Sequence, residues 1–249
     1  DAGAAVKWSF VSVGLWWAVF SVPLLLFVKE EQAGQKLSLE LVRMSYQNVV
    51  STIKKIRQLK MTFIFLVAYW LYIDGVDTII RMAVDFGLAV GLESNGLLAA
   101  LLLTQFVGFP AALVFGWIGH VKGPKFGIFL ALLVYCLIVL WAMQLSSQWE
   151  FYVLAFAVGL VQGGIQSLSR SLYARLVPVS QKTEFFGFYN MLGKFAAVIG
   201  PLLVGITGII TGQPHIGIFM VLLLFVTGGY LLARVDIQAG EQQARAYQG

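Results

Sequence analysis

Residues 61–83 read MTFIFLVAYWLYIDGVDTIIRMA. At about 1.5 Å of rise per residue, a helix over this stretch crosses a hydrocarbon core of about 30 Å. The same stretch carries Asp74, Asp77 and Arg81. These are spaced i, i+3 and i+7, so they share one helical face, with Trp70 one turn below. A charge at bilayer depth costs at least about 2.5–3.5 kcal/mol on insertion scales, so such a face turns to protein or water. Arg81 follows Asp77 by four residues and can neutralise it along the helix. Asp74 is then the odd carboxylate. The face serves either as a substrate or coupling-ion site, or as an interhelical ion pair that fixes packing or gates a pathway. Gly75, between the acids, permits close approach of another helix or local unwinding.

The rest of the chain repeats the apolar pattern. Of its 249 residues, 59% are hydrophobic and 12% charged, and the mean hydropathy is +0.83. A soluble domain is about 45–50% apolar and about 25% charged. Seven Trp and 19 Phe exclude a disordered chain. A single cysteine, Cys136, excludes a disulfide framework and a multi-cysteine zinc site, and no cofactor or metal is expected. The net charge of +5 makes no case for a nucleic-acid partner. Seven stretches qualify as membrane spans: Trp8–Val28, Met61–Ala83, Asn95–Ile118, Phe126–Leu145, Phe151–Tyr173, Phe185–Ile210 and His215–Ala233. Their continuous apolar runs, without period-2 alternation, predict helices rather than a β-barrel. The first is too long for a signal peptide and lacks a basic flank and a cleavage site. The expected class is an all-α, multi-pass integral membrane protein with the lipid bilayer as its surroundings.

Lys and Arg set the expected orientation. Lys29, Lys36, Arg43, Lys54, Lys55, Arg57 and Lys60 follow the first span. Lys122 and Lys125 lie between spans 3 and 4, Arg170, Arg175 and Lys182 around the connection from span 5 to 6, and Arg234 and Arg245 in the tail. These are most of the 17 basic residues, and they alternate consistently to one side. The opposite ends carry Lys7, Asp85, Glu93 and Glu150. The basic side is therefore expected to be cytoplasmic, with the N-terminus outside and the C-terminus inside, in a bacterial inner membrane or an organelle membrane. Between residues 29 and 60, Leu37, Leu41, Met44, Ile53, Ile56 and Leu59 recur at mostly helical spacing, which predicts an interfacial or linker helix. The expected organisation is one orphan helix (1–28), a cytoplasmic linker (29–60), a six-helix bundle (61–236) and a tail (237–249).

Two further spans carry polar stripes. Span 5 presents Gln162, Gln166, Ser169 and Tyr173 on one face and Gly159, Gly163, Ser167 and Arg170 on the next, beginning with the Gly-x-x-x-Gly spacing of close helix packing. The glutamines line a pathway or bond to another helix. Span 6 contains Asn190 and Lys194, and Pro201 should kink it by removing the bond to the Ala197 carbonyl. Lys194 is too deep to snorkel easily and needs a carboxylate, such as Asp74 or one from another part of the protein. Glu184 is expected to pair with Arg170, Arg175 or Lys182.

The stretches YWLYIDGVDTIIRMA (69–83), GGIQSLSRSLYARLVP (163–178) and EFFGFYNMLGK (184–194) resemble the autophagy-related, vacuole-effluxer-like permeases of the major facilitator superfamily. Eukaryotic members of that family are linked to amino-acid export from the vacuole. The resemblance implies a major-facilitator-type half bundle: span 1 as helix 6, spans 2–7 as helices 7–12, and an N-terminal six-helix half as partner. It implies alternating access of a small-molecule substrate near the bilayer midplane, with H+ or Na+ as candidate coupling ion. Gly116, Gly119, Lys122 and Lys125 are similar to the superfamily's basic cytoplasmic motif but lack its usual aspartate, near whose position Gly119 stands. With Arg170 and Glu184 they form the candidate cytoplasmic gate.

Three other functions fit less well. A retinal protein needs a Schiff-base lysine in its last helix, and His215–Ala233 has none. An intramembrane serine hydrolase would use Ser167, Ser169 or Ser171 with His215 or His120. Its base must reach the serine, yet His215 and the serines lie at opposite ends of their spans, about 30 Å apart. A non-transporting scaffold or partner subunit stays open if no second six-helix half exists. The chain also lacks Gly-x-x-x-x-Gly-Lys-Ser/Thr, the phosphate-binding loop of a primary pump. The function expected from the sequence is secondary active transport of a small solute, with amino acids as candidate cargo and no enzymatic activity. Its candidate pathway residues are Asp74, Asp77, Arg81, Gln162, Gln166, Asn190 and Lys194.

Overall fold

The structure is a computed structural model that describes residues 2–28, 39–212 and 214–247. Lys29, Lys36 and Leu37 of the expected linker lie outside the described residues. The described residues contain no strand and ten α-helices: α1 (Ala2–Phe27), α2 (Leu39–Gln58), α3 (Lys60–Ala89), α4 (Ser94–Lys122), α5 (Pro124–Ala142), α6 (Gln148–Leu176), α7 (Lys182–Ala196), α8 (Ile199–Thr211), α9 (Pro214–Ala233) and α10 (Ile237–Ala246). Seven helical stretches are long and apolar enough to cross a membrane, with α7 and α8 together forming the sixth. The protein is an all-α, multi-pass membrane protein.

The chain divides into two units at Tyr46/Gln47. In the first, α1 is predominantly apolar and exposes Trp8, Trp16, Trp17 and Phe20. In the second, α4 lies along α6, α3 along α9, and α5 between α6 and α9. Lipid tails are as apolar as leucine, so these contacts depend on close packing and interhelical hydrogen bonds rather than on escape from water. Gly159 and Gly163 supply the packing: a Cβ on Gly159 would lie 2.9 Å from the Thr104 carbonyl, and one on Gly163 would lie 3.1 Å from Ala112 Cβ. The Thr104 hydroxyl adds a bond of 3.1 Å to the Ala155 carbonyl across the same seam. The turn between α4 and α5 requires Gly123, at φ +86°, and Pro124 opens α5 where a missing N–H costs nothing.

At the Lys/Arg-rich end of this unit the helices are tied to one another. Thr62 Oγ1 donates to the Leu176 carbonyl at 2.7 Å, joining α3 to α6. The tail is a helix, α10, capped by Asp236, whose Oδ1 accepts the Ala239 N–H at 3.1 Å. It docks through Gly240 on Leu176 and Met61, and Gln243 Oε1 accepts the Met61 N–H at 3.3 Å. The last turns of α2 bury Ile56 and expose Lys54 and Arg57, and Leu59, just before α3, is buried as well.

The sixth span is broken rather than kinked. α7 ends at Ala196 and α8 starts at Ile199, with Pro201 in the first turn of α8. A proline there is harmless, because the first N–H groups of a helix have no partner within it. The helix therefore restarts upstream of its proline.

Candidate functional site

Asp74 lies about midway along α3, with 1% of its surface exposed. Neither carboxylate oxygen has a hydrogen-bond partner of normal geometry among the described residues. The backbone N–H groups of Ile199 and Gly200, at the start of α8, face it across the helix interface. The residue preceding α8, Val198, offers no side-chain cap. A carboxylate thus stands at the positive end of a discontinuous membrane helix, the arrangement that stabilises an anion at a helix start. The approach is close because Gly200 has no side chain. A Cβ there would lie 3.2 Å from the Asp74 carbonyl and would collide with Thr78 Oγ1, which donates to that carbonyl at 2.6 Å. On the other flank, Gly75 lies against the Phe225 ring of α9, 2.8 Å from where its Cβ would be.

Asp77 is half-buried and Arg81 exposed on the next turns of α3. The expected Asp77–Arg81 pair does not close; both Arg81 and Lys194 act on Asp77 across space. Lys194 is exposed near the end of α7 and its charge acts on Asp77, so the expected contact with Asp74 is not made. Asn190 is exposed one turn earlier. On α6, Gln166 and Arg170 are exposed, and the Arg170 guanidinium stacks over Phe186 of α7 at 5.6 Å. Asp77, Arg81, Gln166, Arg170, Asn190 and Lys194 therefore occupy uncovered faces of three packed helices, with Asp74 behind them.

The expected polar stripe of α6 divides. Gln162 lines a cavity of about 700 Å³ that reaches from Thr78 and Met82 of α3 past Thr104 and Gln105 of α4 to Val221 of α9. Its walls are mostly aliphatic, and they come from the helix halves farthest from the Lys/Arg-rich end. Gln166 instead faces outward. Ser169 and Tyr173 turn inward: Ser169 Oγ and Tyr72 Oη are 2.6 Å apart, and Tyr173 Oη donates to the Phe185 carbonyl at 3.0 Å.

These bonds belong to an aromatic floor on the Lys/Arg-rich side of Asp74. Tyr69 stacks on Tyr189 at 4.3 Å, Tyr189 on Tyr173 at 4.8 Å, and Tyr173 on Phe65 at 6.0 Å. The floor joins α3, α6 and α7. Sequence reasoning missed it because aromatic residues in an apolar span look like ordinary lipid-facing side chains. The available signal was the hydroxyl: Tyr69, Tyr72, Tyr173 and Tyr189 each bring a polar tip to membrane depth, which needs a partner.

At the Lys/Arg-rich end, Lys125 donates to the carbonyls of Ala233 and Val235 at 3.0 and 2.7 Å, capping α9. Lys122 sits 4.9 Å over the Phe126 ring, Gly119 accommodates Leu168, and Gly116 is exposed with open space around it. Glu184 does not pair with Arg170, Arg175 or Lys182. It accepts Lys55 Nζ at 2.9 Å and the Thr52 hydroxyl, so it ties α7 to α2. The serines are bonded within the bundle, Ser167 to the Gly164 carbonyl at 3.1 Å and Ser169 to the Ile165 carbonyl at 2.6 Å.

A family model described as "Vacuole effluxer Atg22 like" matches residues 2–245. The MFS-type transporter YxiO of Bacillus subtilis is 38% identical over 235 residues, spanning 94% of this chain and 55% of the relative. Autophagy-related protein 22 of Yarrowia lipolytica is 26% identical over 271 residues, spanning 96% of this chain and 46% of the relative. The protein of the same name from Coccidioides immitis is 27% identical over 263 residues, spanning 94% and 43%. The chain thus spans about half the length of the curated relatives it matches.

Proposed function

Because the chain belongs to the Atg22-like vacuole effluxer family, we propose that the protein is a secondary active transporter. It moves a small solute by alternating access, and the uncovered polar faces of α3, α6 and α7 form one wall of its pathway. A second six-helix half supplies the opposite wall; the half-length match to the relatives supports this reading. The observation that carries the proposal is the gathering of Asp77, Arg81, Gln166, Asn190 and Lys194 on uncovered faces of adjoining helices. Charges at that depth are too costly to turn to lipid.

The chemistry of the wall suits an amino acid. Asp77 offers a carboxylate to an ammonium group, and Arg81 and Lys194 offer cations to a carboxylate, each as a charge-assisted hydrogen bond. H+ or Na+ drives the cycle. The Lys/Arg-rich end faces the cytoplasm, where the aromatic floor and α10 close it. The cavity at the other end gives access from the opposite side. Gly116, Gly119, Lys122, Lys125, Arg170 and Glu184 surround the closed end and govern its opening.

The test is uptake of a panel of radiolabelled amino acids by vesicles holding the full-length protein, under imposed H+ and Na+ gradients. Asp77→Asn and Lys194→Gln should each lower transport roughly tenfold or more, since a decade corresponds to about 1.4 kcal/mol of lost interaction, while expression is unchanged. No uptake of any member under any gradient would refute the proposal.

A further inference from the structure

We propose that Asp74 is the group at which this protein takes up and releases a proton, and that its charge state holds or frees the start of α8. The proposal rests on the transport reading above and deepens it by naming the coupling ion and its carrier. Two independent observations support it. Asp74 is 1% exposed with both oxygens unpartnered. The helix start it faces is a break in the middle of a membrane span, with no side-chain cap of its own. An ionised carboxylate buried without donors is expensive. It can be accommodated in two ways here: by closing on the N–H groups of Ile199 and Gly200, or by accepting a proton on one Oδ from hydronium, which leaves as water. In the first state α3 and α8 are tied through a charged cap; in the second the tie is lost. No other bond is made or broken.

The ion named is a proton rather than a metal cation, and the replacement of Na+ below tests that choice. Among the described residues no group of three or more His, Cys, Asp or Glu side chains could hold a metal ion. The Thr78 hydroxyl, the nearest oxygen-bearing side chain one turn along, is committed to the Asp74 backbone carbonyl. Asp77, one turn along α3, is the charged group that acts on Asp74; beyond it, Lys194 of α7 and Tyr135 of α5 interact with Asp77, and Tyr189 of α7 and Arg170 of α6 with Tyr69 of α3. The residues of α8 include none, and α9 presents the Phe225 ring. Lys194 acts on Asp77 rather than on Asp74.

The consequence is mechanical. α8 hinges at Ala197–Val198, and its Val204, Gly205 and Gly208 line the cavity at the far end. Freeing its first turn therefore reshapes the cavity that the transport reading assigns to entry.

The experiment is infrared titration of the full-length protein in lipid nanodiscs, following the carbonyl stretch of a protonated carboxylic acid. The wild type should show a titrating band that is lost in Asp74→Asn, kept in Asp77→Asn, and unmoved when Na+ is replaced by choline at fixed pH. A second readout is thiol labelling of Val198→Cys in a Cys136→Ser background, taken as the ratio to the same protein carrying Asp74→Asn. That ratio should rise as pH falls. Absence of the band, its survival in Asp74→Asn, or a shift with Na+ would overturn the proton site; a flat labelling ratio would overturn the hold on α8. Amino-acid uptake without the band would refute this inference alone, and the band without uptake under any gradient would refute only the transport reading.

Discussion

Gly200 is the residue on which the site's geometry turns. Its missing side chain lets α8 come against Thr78 and the Asp74 carbonyl, so Gly200→Val should destabilise the protein by about 1–3 kcal/mol through overpacking. Thermal unfolding in detergent measures this, with Gly205→Ala, whose new Cβ would meet nothing within 4 Å, as the control expected to leave the midpoint unchanged. At this scale the sequence was partly legible. The i, i+3, i+7 spacing brings Asp74, Asp77 and Arg81 to one side of α3, but it cannot say that Asp74 is tucked behind the other two. That depends on where a distant helix breaks. The same limit applies to Glu184, whose expected partners were the cations near it in sequence; Lys55, 129 positions away, is the one it meets. Ion-pair partners follow tertiary proximity, which spacing within one segment does not encode.

Among the elements, the bond from α7 to α2 is a partly exposed ion pair, with about a third of each side chain accessible. Exposed pairs contribute about 0–1 kcal/mol, so Glu184→Gln should leave global stability nearly unchanged. It should instead loosen the end of α2, read as faster proteolysis near Lys54 and Arg57 with an unaltered melting temperature. Unaltered proteolysis would show that the burial of Ile56 and Leu59 alone holds α2. Seven spans were legible because twenty-residue apolar runs have few other stable fates. The break between α7 and α8 was anticipated only as a proline kink, since the sequence marks the proline but not the turn upstream that its placement permits. The helix α10 was passed over as a tail because it is short and polar, although Asp236 three residues before Ala239 is an N-cap signal.

For the whole molecule, we propose that charges and amides at membrane depth lie on faces of α3, α6 and α7 left for water, substrate and a second half, while lipid meets the aliphatic outer faces. The existence of such faces was legible from the cost of a charge in hydrocarbon. The aromatic floor, the ties at the Lys/Arg-rich end and the cavity opposite it were not, because each is built from residues of three or more helices that look unremarkable in their own spans. The most direct test is aqueous accessibility in the full-length protein, in a Cys136→Ser background. Single cysteines at Gln166, Asn190 and Lys194 should react with a membrane-impermeant thiol reagent, while cysteines at Leu133 and Leu137, exposed on α5, should not. Labelling of the α5 positions with protection of Gln166, Asn190 and Lys194 would contradict a water-lined wall on α6 and α7.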